Sequence, residues 1–404
     1  MLSSLSIIFL VGLSAAFITG RLGLQRIIGM LVTGVVTGPF VLDMLDPKIL
    51  GISAELRQIA LIIILIKAGL SLNLADLKKV GRPALLMSFL PAVFELGAVV
   101  LFAPLLLPVS VQEAAVLGAV LAAVSPAVVV PRMVALMEEG RGTDKQIPQL
   151  ILAGASLDDV FVIVLFSAFV SMAQGGSASL MDFADIPVSI VLGITAGLLA
   201  GGVLAVLFET AHKKGTPIRQ SLKTIVVLGT AFLLMAAEKE LEGAVSFSGL
   251  LAVMSMACMI RLRCRGEVSQ DLSAKYGRLW LAAEVMLFVL VGAAVDIRYT
   301  LQAGGMAALL IAAALVFRSA GVWLCLAGTK LNKKEKLYCV LAYLPKATVQ
   351  AAIGSVPLSL GLPCGNIVLS VAVLSILITA PLGAIAMDIS CKKLLNQSSE
   401  ENIR

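Results

Sequence analysis

The sequence predicts an all-α polytopic membrane protein of about thirteen transmembrane helices. Three observations predict it. First, of 404 residues 59% are apolar and only 14% charged, with a mean hydropathy of +1.02, whereas soluble domains are about 45–50% apolar and about 25% charged. Second, apolar runs of about 20 residues, enough to cross a hydrocarbon core, recur along the chain. Third, Lys and Arg are confined almost wholly to alternate segments between those runs.

The apolar runs cover residues 3–21, 25–45, 56–72, 83–107, 111–137, 147–173, 186–211, 222–238, 247–260, 279–296, 304–328, 336–360 and 364–389. No Lys or Arg precedes the first run, so it lacks the positive start of a secretory leader and is expected to remain as a spanning helix. One set of inter-helix segments, with the adjoining helix ends, holds twenty-four basic residues, from Arg21 and Arg26 to Lys392, Lys393 and Arg404; the other holds four, Lys48, Arg57, Lys239 and Arg298. By the positive-inside rule this places the amino terminus outside and the carboxyl terminus in the cytoplasm. A net charge of +6 spread over seven cytoplasmic segments is no nucleic-acid footprint, because such a footprint concentrates charge on one face.

Thirteen helices divide into six, one and six, and an odd connector inverts the second unit relative to the first. The fifth run holds Ser125-Pro126-Ala127-Val128; the twelfth, fifth of the second unit, holds Pro345-Lys346-Ala347-Thr348. Mid-span proline removes a backbone donor and breaks the helix, and breaks persist in membranes only where the backbone is buried in protein or lines a cavity. Pro126 and Pro345 therefore predict two broken helices, with unpaired carbonyls facing a cavity and Ser125 and Ser156 available as neutral ligands.

Other chemistry has little to build on. The six cysteines form no CxxC or metal-ligand pattern and read as inert reduced thiols. The single histidine, His212, lies beside Lys213 and Lys214 in a loop, so neither a histidine metal site nor a catalytic triad can be assembled, and no cofactor is expected. An intramembrane aspartyl protease needs its two aspartates on separate helices, facing each other across a gap.

Ionisable residues inside a span each cost about 2.5–3.5 kcal/mol on insertion scales. Here they are Lys67, Glu95, Asp158, Asp159, Glu284, Arg318 and Lys346. Asp158 and Asp159 are adjacent in the sixth run, about 100° apart around a helix, so one can face a cavity while the other faces a partner. Two such carboxylates titrate as a unit. Oxygen ligands suit hard cations, and a carboxylate that holds either a proton or a small cation, never both, is antiport in its simplest form. Arg318 stays charged and needs a partner. Glu95 and Asp158 are the candidates, and Glu95–Arg318 is the expected salt bridge, since it leaves both aspartates free and helps set when their site is accessible. Lys346 offsets the helix-dipole ends at the break. Lys67 either snorkels to the cytoplasmic side or serves function, and Glu284 is a snorkelling or funnel charge.

The run Leu121-Ala122-Ala123-Val124-Ser125-Pro126 to Pro131, the Ser-x-Asp-Asp run at 156–159, and Leu344-Pro345-Lys346-Ala347-Thr348-Val349-Gln350-Ala351 together resemble the NHA subfamily of cation/proton antiporters, over essentially the whole membrane domain. The resemblance implies two inverted repeats with crossed broken helices. It also implies a dimerisation part from about 3–72 and 222–296, an ion-transport core from about 83–173 and 304–389, and a linker helix at 186–211. It implies Asp159 as main cation and proton carrier, Asp158 as its helper, elevator-like movement of the core, and a homodimer in the lipid of a bacterial inner membrane. The substrates implied are Na+ or Li+ and H+. Electrogenic bacterial exchangers carry lysine where Arg318 stands; arginine cannot serve as a second proton carrier. K+/H+ antiport stays open, as does sodium-coupled symport of an organic anion, although aromatic content of 5% offers little to recognise an organic substrate.

Overall fold

The computed structural model describes residues 1–22, 24–71, 81–174, 180–213, 218–241, 247–264 and 266–397, and all its regular elements there are helices. In order they are α1 (Leu2–Arg21), α2 (Arg26–Thr37), α3 (Pro47–Gly51), α4 (Ser53–Ser71), α5 (Arg82–Leu106), α6 (Val111–Leu121), α7 (Pro126–Glu138), α8 (Ile147–Gln174), α9 (Leu180–Lys213), α10 (Gln220–Glu240), α11 (Gly249–Arg263), α12 (Gly266–Ala293), α13 (Ile297–Cys325), α14 (Lys333–Ala342), α15 (Thr348–Gly354), α16 (Val356–Ser359) and α17 (Gly365–Leu394). Each apolar run of the sequence contains helix among the described residues. Eight helices among the described residues are individually long and apolar enough to cross a membrane, α17 among them.

Local chemistry accounts for the ends. Ser110 caps α6 and Asn332 caps α14, each with a glutamate three residues on, Glu113 and Glu335, returning the bond to the cap backbone. α2 stops at Thr37, short of the expected residue 45, because Pro39 disfavours helical backbone at Gly38, which is extended at φ −72° and ψ 175°. α12 begins at Gly266, well before the apolar run at 279–296. Its first turns are polar and are held from α10: Gln220 donates to Asp271 at 2.6 Å and the Tyr276 hydroxyl to the Thr224 carbonyl at 2.9 Å. Hydropathy sees only the part of a helix that must be apolar.

The chain divides into two compact units. One comprises residues 55–72 and 163–287. Within it α9 packs on α11 through Gly193, Gly197 and Gly201, where a Cβ would run into the backbone of Ser248, Ala252 and Met256. Small residues at that spacing let two helices approach closely without side chains between them.

The other unit comprises residues 1–54, 73–162 and 288–404 and carries both breaks. α5 lies along α13, with Phe102 and Phe317 edge-on at 5.8 Å. Arg132 on α7 makes a bidentate pair with Asp388 on α17 at 2.8 and 2.9 Å. Lys145, just before α8, reaches both oxygens of the buried Glu335 on α14 at 2.8 and 2.9 Å. These pairs tie helices of the first half of the sequence to helices of the second.

Candidate functional site

Both prolines break their helices. Between α6 and α7 the chain is unwound over Ala122–Ser125, and Pro126 occupies the first turn of α7, where a missing N–H costs nothing. Between α14 and α15 it is unwound over residues 343–347. The two unwound stretches touch: the Ser125 amide donates to the Pro345 carbonyl at 2.9 Å.

An unwound stretch leaves backbone groups without helical partners, and in a dry interior each must find another. Here side chains supply them. Val124 N–H donates to Asp158 Oδ2 at 2.7 Å. The Ala122 carbonyl accepts from Arg318 Nη1, and the Tyr343 carbonyl from Arg318 Nε at 2.5 Å. The Ala123 carbonyl accepts from Gln350 Nε2 at 2.7 Å and from Lys346 Nζ at 3.2 Å. Gln350 Oε1 takes the Ala347 N–H at 2.8 Å, and the Thr379 hydroxyl takes the Lys346 N–H at 2.8 Å. The expectation of unpaired carbonyls is thereby corrected for Ala122, Ala123 and Tyr343: fixed cations and one amide cap them.

Glu95 on α5, Arg318 on α13 and Lys346 at the second break form one buried cluster. Glu95 Oε2 accepts from Arg318 Nη1 at 2.8 Å and from Lys346 Nζ at 2.6 Å. None of the three side chains is more than 2% exposed. Arg318 also reaches Asp158 Oδ2, at 3.5 Å, so it spans both candidate partners and Asp158 is not left free of it.

The aspartates behave differently. Asp158, fully buried, has one oxygen engaged by Val124 and Arg318. Asp159 is 8% exposed. Oδ1 of each is buried without a hydrogen-bond partner among the described residues, as is the Ser125 hydroxyl. Buried polar atoms ordinarily find partners; these three oxygens find none among the described residues. The side chains of Pro126, Ser156 and His212 lie outside the described residues. No group of three or more His, Cys, Asp or Glu suited to a metal ion forms among the described residues.

Lys67 lies in the other unit, its ammonium 5.7 Å from the centre of the Trp280 ring. The six cysteines are free thiols. Sequence reasoning missed Gln350, Thr379 and Tyr343. The signal for Gln350 was present, a neutral polar residue in an apolar run directly after the break, but attention to ionisable groups alone passes over it.

Residues 5–390 match the family described as sodium/hydrogen exchanger, transmembrane. Sodium/hydrogen exchanger 9B2 of Xenopus tropicalis is 34% identical over 365 residues, covering 87% of this chain and 66% of the relative. The Homo sapiens protein of that name is 33% identical over 359 residues, with the same coverage. The chain thus spans just under two thirds of the length of these relatives. Among solved structures, the sodium proton antiporter MjNhaP1 from Methanocaldococcus jannaschii at pH 8 superposes with a TM-score of 0.80 at 22% identity, covering 97% of this chain and 98% of that one. At that identity the likeness establishes the fold.

Proposed function

Because the chain belongs to the sodium/hydrogen exchanger family of multi-pass membrane proteins, we propose that it exchanges Na+ or Li+ for H+ across a membrane, with Asp159 as the carboxylate that carries either ion. The observation that supports this is the charge balance at the crossing. Arg318 and Lys346 bring two positive charges and Glu95 one negative, all buried and in contact. One positive charge is left over, and an uncompensated buried charge is costly. Asp158, held by Val124 and within 3.5 Å of Arg318, supplies the missing negative charge and stays ionised. Asp159 then has no fixed cation of its own and is neutralised by a proton or by a bound Na+, one at a time. That makes one proton per cation, so exchange is electroneutral.

Asp158 Oδ1 and the Ser125 hydroxyl, both buried without a hydrogen-bond partner among the described residues, serve as auxiliary ligands, with Ser156 as the further neutral candidate. The Glu95–Arg318 pair, braced by Lys346, helps set when the site is accessible. The core carrying the broken helices moves as an elevator within a homodimer, in a bacterial inner membrane with the amino terminus outside and the carboxyl terminus cytoplasmic. Similarity to transporters supports a carrier, with no covalent chemistry assigned. The test is reconstitution into proteoliposomes holding a pH-sensitive dye, with Na+, Li+ and K+ added in turn. Na+ and Li+ should each discharge an imposed pH gradient. A response to K+ alone would make the protein a K+/H+ antiporter, and no response to any of the three would overturn cation/proton exchange.

A further inference from the structure

Gly154 lies four residues before Asp158 on α8, hence one turn away on the same helix face. A methyl group at 154 would overlap the hydroxyl oxygen of Tyr343 outright, would stand 3.0 Å from the Met87 Cβ, and would stand 3.3 Å from Cζ of the Tyr343 ring. The Tyr343 hydroxyl is itself buried with no hydrogen-bond partner, so no hydrogen bond accounts for its being there. It also cannot easily withdraw. The Tyr343 carbonyl is held by Arg318 Nε at 2.5 Å, and the Arg318 guanidinium lies 5.6 Å from the ring centre. Tyr343 is thus a wedge: one end is fixed by the arginine and the other meets bare α8 backbone at Gly154.

We infer that Gly154 and Tyr343 are positioning residues, whose steric contact sets the distance of the Asp158–Asp159 segment of α8 from Arg318 and the first break. The inference rests on the reading of the aspartates as the cation site. Packed interiors do not deform continuously, so a side chain at 154 has to move either α8 or the unwound chain at 343. Either movement changes the 3.5 Å Asp158–Arg318 separation and the Asp158 bond to Val124. Neither residue touches the transported ion; both act through Asp158.

The test pairs a change at 154 with relief at 343. Gly154→Ala should raise the Na+ concentration for half-maximal exchange about tenfold, within what a sub-ångström misplacement costs a preorganised site, while the maximal rate changes less. Adding Tyr343→Phe removes the oxygen that collides and leaves tight contacts of 3.3 Å to the ring and 3.0 Å to the Met87 Cβ, so the double variant should recover part of the affinity. A purely structural role for Gly154 would instead lower yield and melting temperature with half-saturation unchanged, and that result overturns the inference. So does a double variant no better than Gly154→Ala. If Gly154→Ala alone does not fold, a double variant that folds and exchanges supports the steric account, and equal failure of both overturns it. If the wild type exchanges no cation, the functional reading fails separately. The positioning claim is then decided by structures of the two variants, which should show the Asp158–Arg318 separation altered by Gly154→Ala and restored by Tyr343→Phe.

Discussion

The ammonium of Lys346 lies 2.6 Å from the Glu95 carboxylate, with both side chains shielded from solvent. These residues are 251 positions apart in the chain, and their meeting sets one buried acid between two buried basic side chains. Glu95 joins α5 to the second break, while Lys346 also reaches the Ala123 carbonyl of the first. On the proposed charge balance, the aspartates are left with a surplus of one positive charge to answer.

Glu95→Gln is expected to destabilise the protein by about 3–5 kcal/mol, since it leaves two buried cations with one fewer counter-charge. Adding Lys346→Met should return part of that loss by removing one of the cations. Thermal unfolding of the detergent-solubilised variants measures both. Equal melting temperatures for wild type and Glu95→Gln would contradict the cluster.

Gln350→Ala removes the cap that serves both breaks, Ala123 carbonyl on one and Ala347 N–H on the other. The Ala123 carbonyl keeps only Lys346 at 3.2 Å, the buried Ala347 N–H loses its partner at a cost of about 1–3 kcal/mol, and exchange should slow because the unwound chain is held less firmly. Unchanged unfolding temperature and unchanged rate would together refute the role.

Lys145→Ala strips the buried Glu335 of its ammonium partner and should cost about 1.5–3 kcal/mol, the range for hydrogen bonds to charged groups. Neither side chain of this pair is a hydrogen-bond or ion-pair partner of the aspartates among the described residues, so the affinity for Na+ should be unaffected. A shift in half-saturation without loss of stability would show that this pair acts on the site.

If one proton moves per cation, the initial rate of exchange in proteoliposomes should be the same with and without an imposed membrane potential. A marked acceleration or slowing would mean that Asp158 also cycles its proton, giving two per cation.

The helical segments, the two breaks and the intramembrane charges were legible in the sequence because each leaves a local mark: an apolar run, a mid-span proline, a charge where lipid forbids one. The Glu95–Arg318 pairing was legible too, since both residues hold the fourth place in their repeats and a buried arginine demands an acid. Two things were not. Lys346 read as a cap for helix-dipole ends, and it does reach one carbonyl, but its pairing with Glu95 depends on how α5 lies against an unwound stretch, which no local pattern encodes. The freed carbonyls read as unpaired because proline predicts that a bond is lost and says nothing of what replaces it. Arg318 and Gln350 replace it from other elements. The early start of α12 escaped for the opposite reason: its polar turns are helix that needs no apolar pattern, held by Tyr276 and Asp271 instead.

The most direct measurement compares wild type, Asp158→Asn and Asp159→Asn in the same proteoliposome assay of Na+-driven proton movement, with folding checked by thermal unfolding. Asp159→Asn should fold and show no exchange above protein-free vesicles, because an amide can neither take up the proton nor neutralise the cation. Asp158→Asn should be impaired through the unbalanced Arg318 but keep measurable exchange. Substantial exchange by Asp159→Asn would contradict the assignment of the carrier and, with it, the account of the site.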